Sequence, residues 1–232
     1  MKKVALFGAG GYVGSQIANA INNSNQYHLI PLFRSSSNIE KLIVDADIVI
    51  HSANPAGRFQ AETYPIVDFE ETVEKTARIF NLSKGKHFIL VSSMSCRTQL
   101  HLHYGRFRRA CELLVLTGNS LVVRLGPMFG GNRKRDMLHD ILMGKEVHIA
   151  EDTQYAYVNV AWAGQKIVDL LEKGTGVQEI GARNSIRLGD IANHFNSKSL
   201  FSGIIETQIP ENFSDGPDAN DIYAYAEAEK ER

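Results

Sequence analysis

Phe7-Gly8-Ala9-Gly10-Gly11-Tyr12-Val13-Gly14 sets the reading of everything around it. A short apolar run, Val4 to Phe7, leads into it, and a helix-patterned segment, Ser15 to Ile21, leads out. Glycine accepts positive φ and lets a ligand approach the backbone closely. The helix start that follows offers unpaired N–H groups and the positive end of a dipole. A strand, a glycine-rich turn and a helix in that order predict a phosphate cradle of the dinucleotide-binding kind, with Gly8, Gly10, Gly11 and Gly14 forming the turn.

Outward from this turn, strand and helix patterns alternate. Strands are expected at Val4–Phe7, His28–Phe33, Asp47–His51, Phe88–Val91 and Ser120–Arg124. Helices are expected at about 11–22, 38–45, 66–83 and 104–116. In the third of these, apolar residues at 66, 69, 73, 77 and 80 mark one helical face. Such alternation argues for an α/β fold, a Rossmann-type doubly wound parallel sheet with helices on both faces. The stretch from Arg34 to Asp47 has room for one small helix but no further full strand. One strand of the usual set is therefore expected to be missing. After Gly126-Pro127 the pattern loosens: a helix over 133–144, strands at 147–149 and 157–160, and helices within 159–173 and 188–195. This predicts a Rossmann core over 1–127 and a small C-terminal substrate-facing lobe over 128–232. The acidic tail, 215–232, reads equally as a solvated helix or a loose end.

Bulk composition narrows the classes. The chain has 232 residues, 44% of them hydrophobic, with a net charge of −1. That supports a real core and leaves no basic footprint for nucleic acid. No apolar run is long enough to span a membrane, and the amino-terminal apolar run breaks into glycine too soon for a signal peptide. Cys96 and Cys111 offer no disulfide framework, which fits a reducing, cytoplasmic setting.

The chemistry-bearing residues gather further along. Tyr104 and Arg108 are four apart at a helix start and share a face. Ser92 and Ser93 end a strand whose carboxyl end points at the crevice where ligands collect in such sheets. A hydroxyl, a phenol and a cation together make a proton-transfer set, because a fixed positive charge favours the phenolate. Taken singly, each has a plainer reading: a cation decorating a helix, or serines in a turn. Their order along the chain favours the joint one.

With those residues in hand, the chain resembles the short-chain dehydrogenase/reductase superfamily, and within it the extended and atypical branch of nucleotide-sugar epimerases, dehydratases and reductases. The resemblance rests on Gly8, Gly11 and Gly14; on Asp47-Ile48-Val49-Ile50-His51-Ser52-Ala53; and on Val91-Ser92-Ser93-Met94-Ser95. It rests further on Tyr104-Gly105, Arg108 and Glu112, and on Val123-Arg124-Leu125-Gly126-Pro127. Weaker echoes are Tyr157-Val158-Asn159-Val160 and Ser185 to Ala192. The resemblance implies Ser93 and Tyr104 as catalytic residues, with Ser95 an alternative to Ser93. Arg108 stands where the family has lysine, and arginine is bulkier and planar. It implies cofactor contacts from Tyr12 and Val13 at the diphosphate, from Ser52, Ala53 and Asn54 beyond the fourth strand of the family, from Tyr104 and Arg108, and from Pro127 and Met128 at the nicotinamide.

Cofactor choice follows from the second strand. Its end carries Arg34, then Ser35, Ser36 and Ser37, rather than an acid. A guanidinium with hydroxyl neighbours suits a 2′-phosphate, so NADP is expected over NAD. Dehydration needs acid and base where Met94 and Ser95 stand. The expected activity is carbonyl reduction or alcohol oxidation on a nucleotide-sugar or similar polar small molecule. Sugar epimerisation, and NADP(H) binding without turnover, are the alternatives. His101-Leu102-His103 has a metal-like spacing but lacks a neighbouring carboxylate, which argues for a loop or substrate-facing role. Arg133-Lys134-Arg135 reads as a diphosphate grip or a solvated helix start, Asp45 and Asp47 as caps, and Trp162 as packing. The helices at 66–83 and 104–116 resemble the pair that forms homodimer interfaces in this superfamily.

Overall fold

A computed structural model describes the whole chain except residues 133–135, 213–214 and 231–232. Arg133-Lys134-Arg135 therefore lies outside the described residues. These fall into two compact units, residues 1–125 with 163–178, and residues 126–162 with 179–232.

The first unit is built on β1 (Lys2–Phe7), β2 (Tyr27–Leu32), β3 (Ile48–His51), β4 (His87–Ser93) and β5 (Ser120–Leu125). Between them run α1 (Tyr12–Ser24), α2 (Ile39–Val44), α3 (Arg58–Thr63), α4 (Pro65–Phe69), α5 (Lys75–Leu82), α6 (Ser95–Thr98) and α7 (His103–Val115). The strand order is β2-β1-β3-β4-β5, closed at the far edge by Gly176–Ile180. Neighbouring pairs from β2 to β5 are parallel. In the doubly wound order a further strand lies outside β2. Here α2 takes up the chain between β2 and β3, so β2 is the edge, as the short Arg34–Asp47 stretch led one to expect. The sheet reverses direction of growth at β1, which opens a crevice between the carboxyl ends of β1 and β3. Val4, Ala5, Leu6, Val49, Ile50, Ile89, Leu90 and Val122 are fully buried, as continuous apolar strands covered on both faces must be.

Two differences from the expected elements bear on function. The long helix starts at Pro65, and its middle, Glu70–Glu74, is a π-helical turn. Its buried residues are Asp68, Thr72, Thr76 and Ile79, while Ile66 is 74% exposed. The apolar face counted from the sequence thus packs inward only in part: Val73 and Phe80 lie against the core, while Ile66 and Phe69 face outward. The wide turn rotates the helix so that polar residues meet the polar partners described below, a common use of π turns. Sequence periodicity also missed α3 and the edge strand at 176–180.

The second unit is held by short pairings. Met128–Phe129 pairs with Val158–Asn159. Gln154–Tyr155 lies between Ile186–Arg187 and Thr207–Gln208. The expected strand at 147–149 reduces to a single bridge, Val147 with Phe201. Helices Met137–Leu142, Leu188–His194 and Asp221–Lys230 pack there, and the tail is helical over the last of these. Helix Val160–Asp169 leads the chain back into the first unit. Among the described residues, no helix is long and apolar enough to cross a membrane.

Candidate active site

The glycine turn is dictated by contact. Gly8 has φ +82°, and a Cβ there would lie 2.6 Å from the Ser52 carbonyl oxygen. A Cβ on Gly14 would lie 1.9 Å from the Gly8 carbonyl oxygen. No side chain can replace either without moving backbone. By contrast, a Cβ on Gly10 would make only ordinary contact with Phe33. The turn closes through Gly11 N–H to the Gly8 carbonyl at 2.8 Å. Helix α1 then begins at Tyr12 with Gly11 as N-cap, with no side-chain cap and no acid in its first turn. Its leading N–H groups and dipole end are matched to an anion rather than to the protein's own carboxylates. These residues fit a dinucleotide diphosphate.

Across the crevice, β3 ends at His51, which is fully buried. Its Nδ1 accepts from the Ala53 N–H at 3.3 Å, so Nε2 carries the proton and faces Thr76 Oγ1 at 3.1 Å. Burial first, then Lys75 and Arg108, push the imidazole down to about 3. It is a neutral post for the loop that carries Ser52, Ala53 and Asn54. Lys75 holds the same loop by donating to the Ala53 carbonyl at 3.3 Å.

Helix α7 carries the phenol. Tyr104 is 8% and Arg108 3% exposed, and the Arg108 guanidinium carbon lies 4.2 Å from the centre of the Tyr104 ring. Four residues along a helix give this stacking directly. Arg108 also donates to Thr72 Oγ1 at 2.9 Å and to the Pro55 carbonyl oxygen. Its Nη1 lies 3.8 Å from Asp68 Oδ2. Burial raises the Asp68 carboxyl above its usual range, only partly offset by Arg108 and Thr72. The arginine therefore ties α7, the π-turn helix and the loop after β3 together.

The head of α7 has a partner that the sequence did not reveal. Glu62, on α3, accepts from the Tyr104 N–H at 3.1 Å and from His103 Nδ1 at 2.9 Å. Burial works against its ionisation, but these hydrogen bonds hold the carboxylate below its usual range. This corrects the expectation that no carboxylate stands beside the His-Leu-His segment. The contact is a long-range cap on α7, not a metal cluster. Among the described residues no group of three or more His, Cys, Asp or Glu is placed to hold a metal ion.

The two strand-end serines part company. Ser92 Oγ donates to Glu112 at 2.7 Å, away from the crevice. Ser93 Oγ accepts from the Ser95 N–H at 3.2 Å and is half-buried. Ser95 and Met94 are buried in and before α6. Glu112 also accepts from Arg124 Nε and Nη2 at 3.0 and 2.7 Å, Arg109 Nη1 at 3.1 Å and Cys96 Sγ at 2.8 Å. Both cysteines are free and buried, and burial pushes both thiols up. Arg34, beyond β2, is exposed and meets Glu71; Ser35 beside it is exposed. Pro127 and Met128 belong to the second unit, Met128 opening its first strand.

This arrangement defines a class: Rossmann-type α/β proteins with a glycine turn after β1, a serine at the end of β4 and a tyrosine at the head of the next long helix. Solved structures of similar fold cover essentially the whole chain. The UDP-N-acetylglucosamine 4-epimerase of Methanobrevibacter ruminantium, in complex with UDP-N-acetylmuramic acid, aligns with TM-score 0.79 at 15% identity over 97% of this chain and 96% of its own. The dTDP-4-dehydrorhamnose reductase of Bacillus anthracis, in complex with NADP, gives 0.77 at 17% over 99% of both chains. That of Yersinia enterocolitica gives 0.77 at 18%, over 98% of this chain and 99% of its own. At these identities the likeness is one of fold, and it reaches the same branch that the motifs resemble. No family model matches the chain. In sequence, 4-hydroxy-tetrahydrodipicolinate reductase of Campylobacter jejuni is 27% identical over 79 residues, 34% of this chain and 30% of that enzyme.

Proposed function

We propose that the protein is an NADP(H)-dependent oxidoreductase that reduces a carbonyl, or oxidises the corresponding alcohol, on a nucleotide-sugar or similar polar substrate. The observation that carries this reading is the Tyr104–Arg108 stack at a capped helix head, in the same unit as an uncapped glycine-turn helix start. Complexes with NADP and with a nucleotide-sugar among the fold neighbours support it.

NADPH, when bound, supplies the hydride that reaches the carbonyl carbon. The chain supplies the rest. The N–H groups of Tyr12 and Val13 bind the diphosphate, and Arg34 with Ser35 binds the 2′-phosphate. Ser52, Ala53 and Asn54, on the loop after β3, would line the dinucleotide's path. Ser93 donates a hydrogen bond to the carbonyl oxygen, and Tyr104 gives that oxygen its proton. Arg108 acts through the ring face: its attraction to the ring grows as the phenol becomes phenolate. In this reading Arg108 keeps the family lysine's charge but not its reach, because its donors are engaged by Thr72 and Pro55.

That engagement favours a second reading, dinucleotide binding without turnover. NADPH oxidation across a panel of carbonyl compounds, including dTDP- and UDP-4-keto sugars, separates the two. The enzyme reading expects Tyr104→Phe to lower turnover by about 100-fold or more while NADPH binding stays measurable. A wild type that binds NADPH yet oxidises it with no compound overturns it in favour of binding alone. We also propose a homodimer through the outward Ile66 and Val67, 74% and 56% exposed. Sedimentation as a monomer at micromolar concentration refutes that assembly.

A further inference from the structure

The π-helical turn places one carboxylate between two cations that serve different parts of the cofactor crevice. Glu71 Oε2 lies 3.4 Å from Arg34 Nη2 and 2.5 Å from Lys75 Nζ. The arginine comes from beyond β2, with its side chain 90% exposed. The lysine, one helical turn after Glu71, also donates to the Ala53 carbonyl at 3.3 Å. Glu71 is thus fixed from one side by a lysine that is itself fixed to the loop after β3. It cannot swing away without breaking that tie. The Lys75 hydrogen bond, against a smaller effect of burial, keeps the carboxylate below its usual range, so the negative charge persists through neutral pH.

The consequence falls on the adenosine ribose. The end of the second strand is where such folds read the 2′ position of that ribose. A 2′-phosphate drawn to Arg34 brings about two negative charges close to a carboxylate already paired with the same guanidinium. A 2′-hydroxyl brings none, and it can donate to the carboxylate. We propose that Glu71 is a specificity-determining residue: a built-in competitor of the 2′-phosphate for Arg34 that limits the preference for NADP(H) over NAD(H). The inference rests on the dinucleotide reading above and adds to it a residue outside the β2 end that the usual reading of cofactor choice consults.

The size of the effect follows from exposure. An exposed ion pair contributes little, and repulsion between the phosphate and a carboxylate several ångströms away is screened by water. Removing the Glu71 charge is expected to raise the ratio of NADPH to NADH affinity about three- to tenfold. The ratio is the proper readout. Any loosening of Lys75 or of the loop after β3 changes both affinities together and cancels in it.

The experiment titrates the full chain with NADPH and, separately, NADH, following nucleotide fluorescence, for the wild type, Glu71→Gln and Glu71→Ser. Glu71 is 42% exposed, so both variants are expected to fold. The expected result is the same rise of the ratio in both variants, shrinking in high salt. If both dinucleotides bind and the ratio does not rise, the assignment of Glu71 falls while the dinucleotide reading stands. If the wild type binds neither dinucleotide, both fall.

Discussion

Two buried polar clusters sit on helix α7, one helical turn apart, and they are built in opposite ways. Around Glu112 every side answers: Arg124 forks onto both carboxylate oxygens, and Ser92, Cys96 and Arg109 complete the shell. Around Arg108 the match is loose. Its nearest carboxylate oxygen, on Asp68, is 3.8 Å away, and Asp68 is pushed toward its neutral form by burial. A saturated cluster fixes β4, α6, α7 and β5 to one another. The other holds Arg108 against the Tyr104 ring, Thr72 and the loop after β3, with no carboxylate in direct hydrogen-bond contact among the described residues. The difference teaches that burial of an ion pair says little about its purpose until its hydrogen bonds are counted.

The contrast is broken most directly by removing Glu112. Glu112→Gln leaves the buried Arg124 cation without its carboxylate, and the expected loss of stability in urea is about 3–5 kcal/mol. The sign with pH follows. Burial alone would raise this carboxyl, but its hydrogen bonds, Arg124 first, hold it below the ordinary 4.5. The cluster's contribution is therefore complete above that value and is lost as pH falls through the lower folded value. The wild type is expected to lose stability steeply below pH 4.5, and Glu112→Gln less steeply.

Arg108→Met is expected to cost less, about 1–3 kcal/mol, because Asp68 can accept a proton when its cation is gone. A loss equal to that of Glu112→Gln would show the two clusters to be equally structural and would remove the distinction drawn here.

A smaller effect sharpens the same division along the pH axis. His51 is neutral in the fold down to about 3, whereas a free imidazole charges near 6.5. Below 6.5 the unfolded chain binds a proton that the folded chain does not. Stability is then lost at up to about 1.4 kcal/mol per pH unit as pH falls. His51→Leu is expected to flatten the stability curve between pH 6.5 and 5, ahead of the Glu112 window. An unchanged slope there would assign the acid loss to other groups.

How far the sequence carried these readings depended on whether the signal was local. The glycine turn was legible because the positive φ of Gly8 and the contact of Gly14 with the Gly8 carbonyl both arise within one strand–turn–helix unit. The parallel strands were legible because burial on both faces makes them continuously apolar. The missing strand was legible from chain length alone. The π turn was not, since Ile66, Phe69, Val73, Ala77 and Phe80 mimic an ordinary apolar face, while the buried Asp68, Thr72 and Thr76 are chosen by Arg108 and His51, far away in sequence. Nor was Glu62, whose target at the head of α7 lies about forty residues on. In the second unit, paired strands of two residues each are too short to carry a period of two. The strand expected at 147–149 failed for that reason.

The smallest effect comes from a third kind of polar group, one with no answer at all. Gln99, in the turn between α6 and α7, is 1% exposed, and neither its amide oxygen nor its nitrogen has a hydrogen-bond partner among the described residues. Its backbone is indispensable: the Gln99 carbonyl lies so close to Gly105 that a Cβ there would sit 2.2 Å away. Its side chain, by contrast, carries an uncompensated desolvation cost of about 1–3 kcal/mol. Gln99→Leu keeps the volume and removes both polar atoms, so the expected change is between zero and a gain of about 1 kcal/mol, read from the urea midpoint at constant slope. A loss above about 2 kcal/mol would mean that the amide has a partner in solution and belongs with the saturated cluster. A gain would set Gln99 beside Arg108, among the polar groups that this helix head retains at the expense of stability.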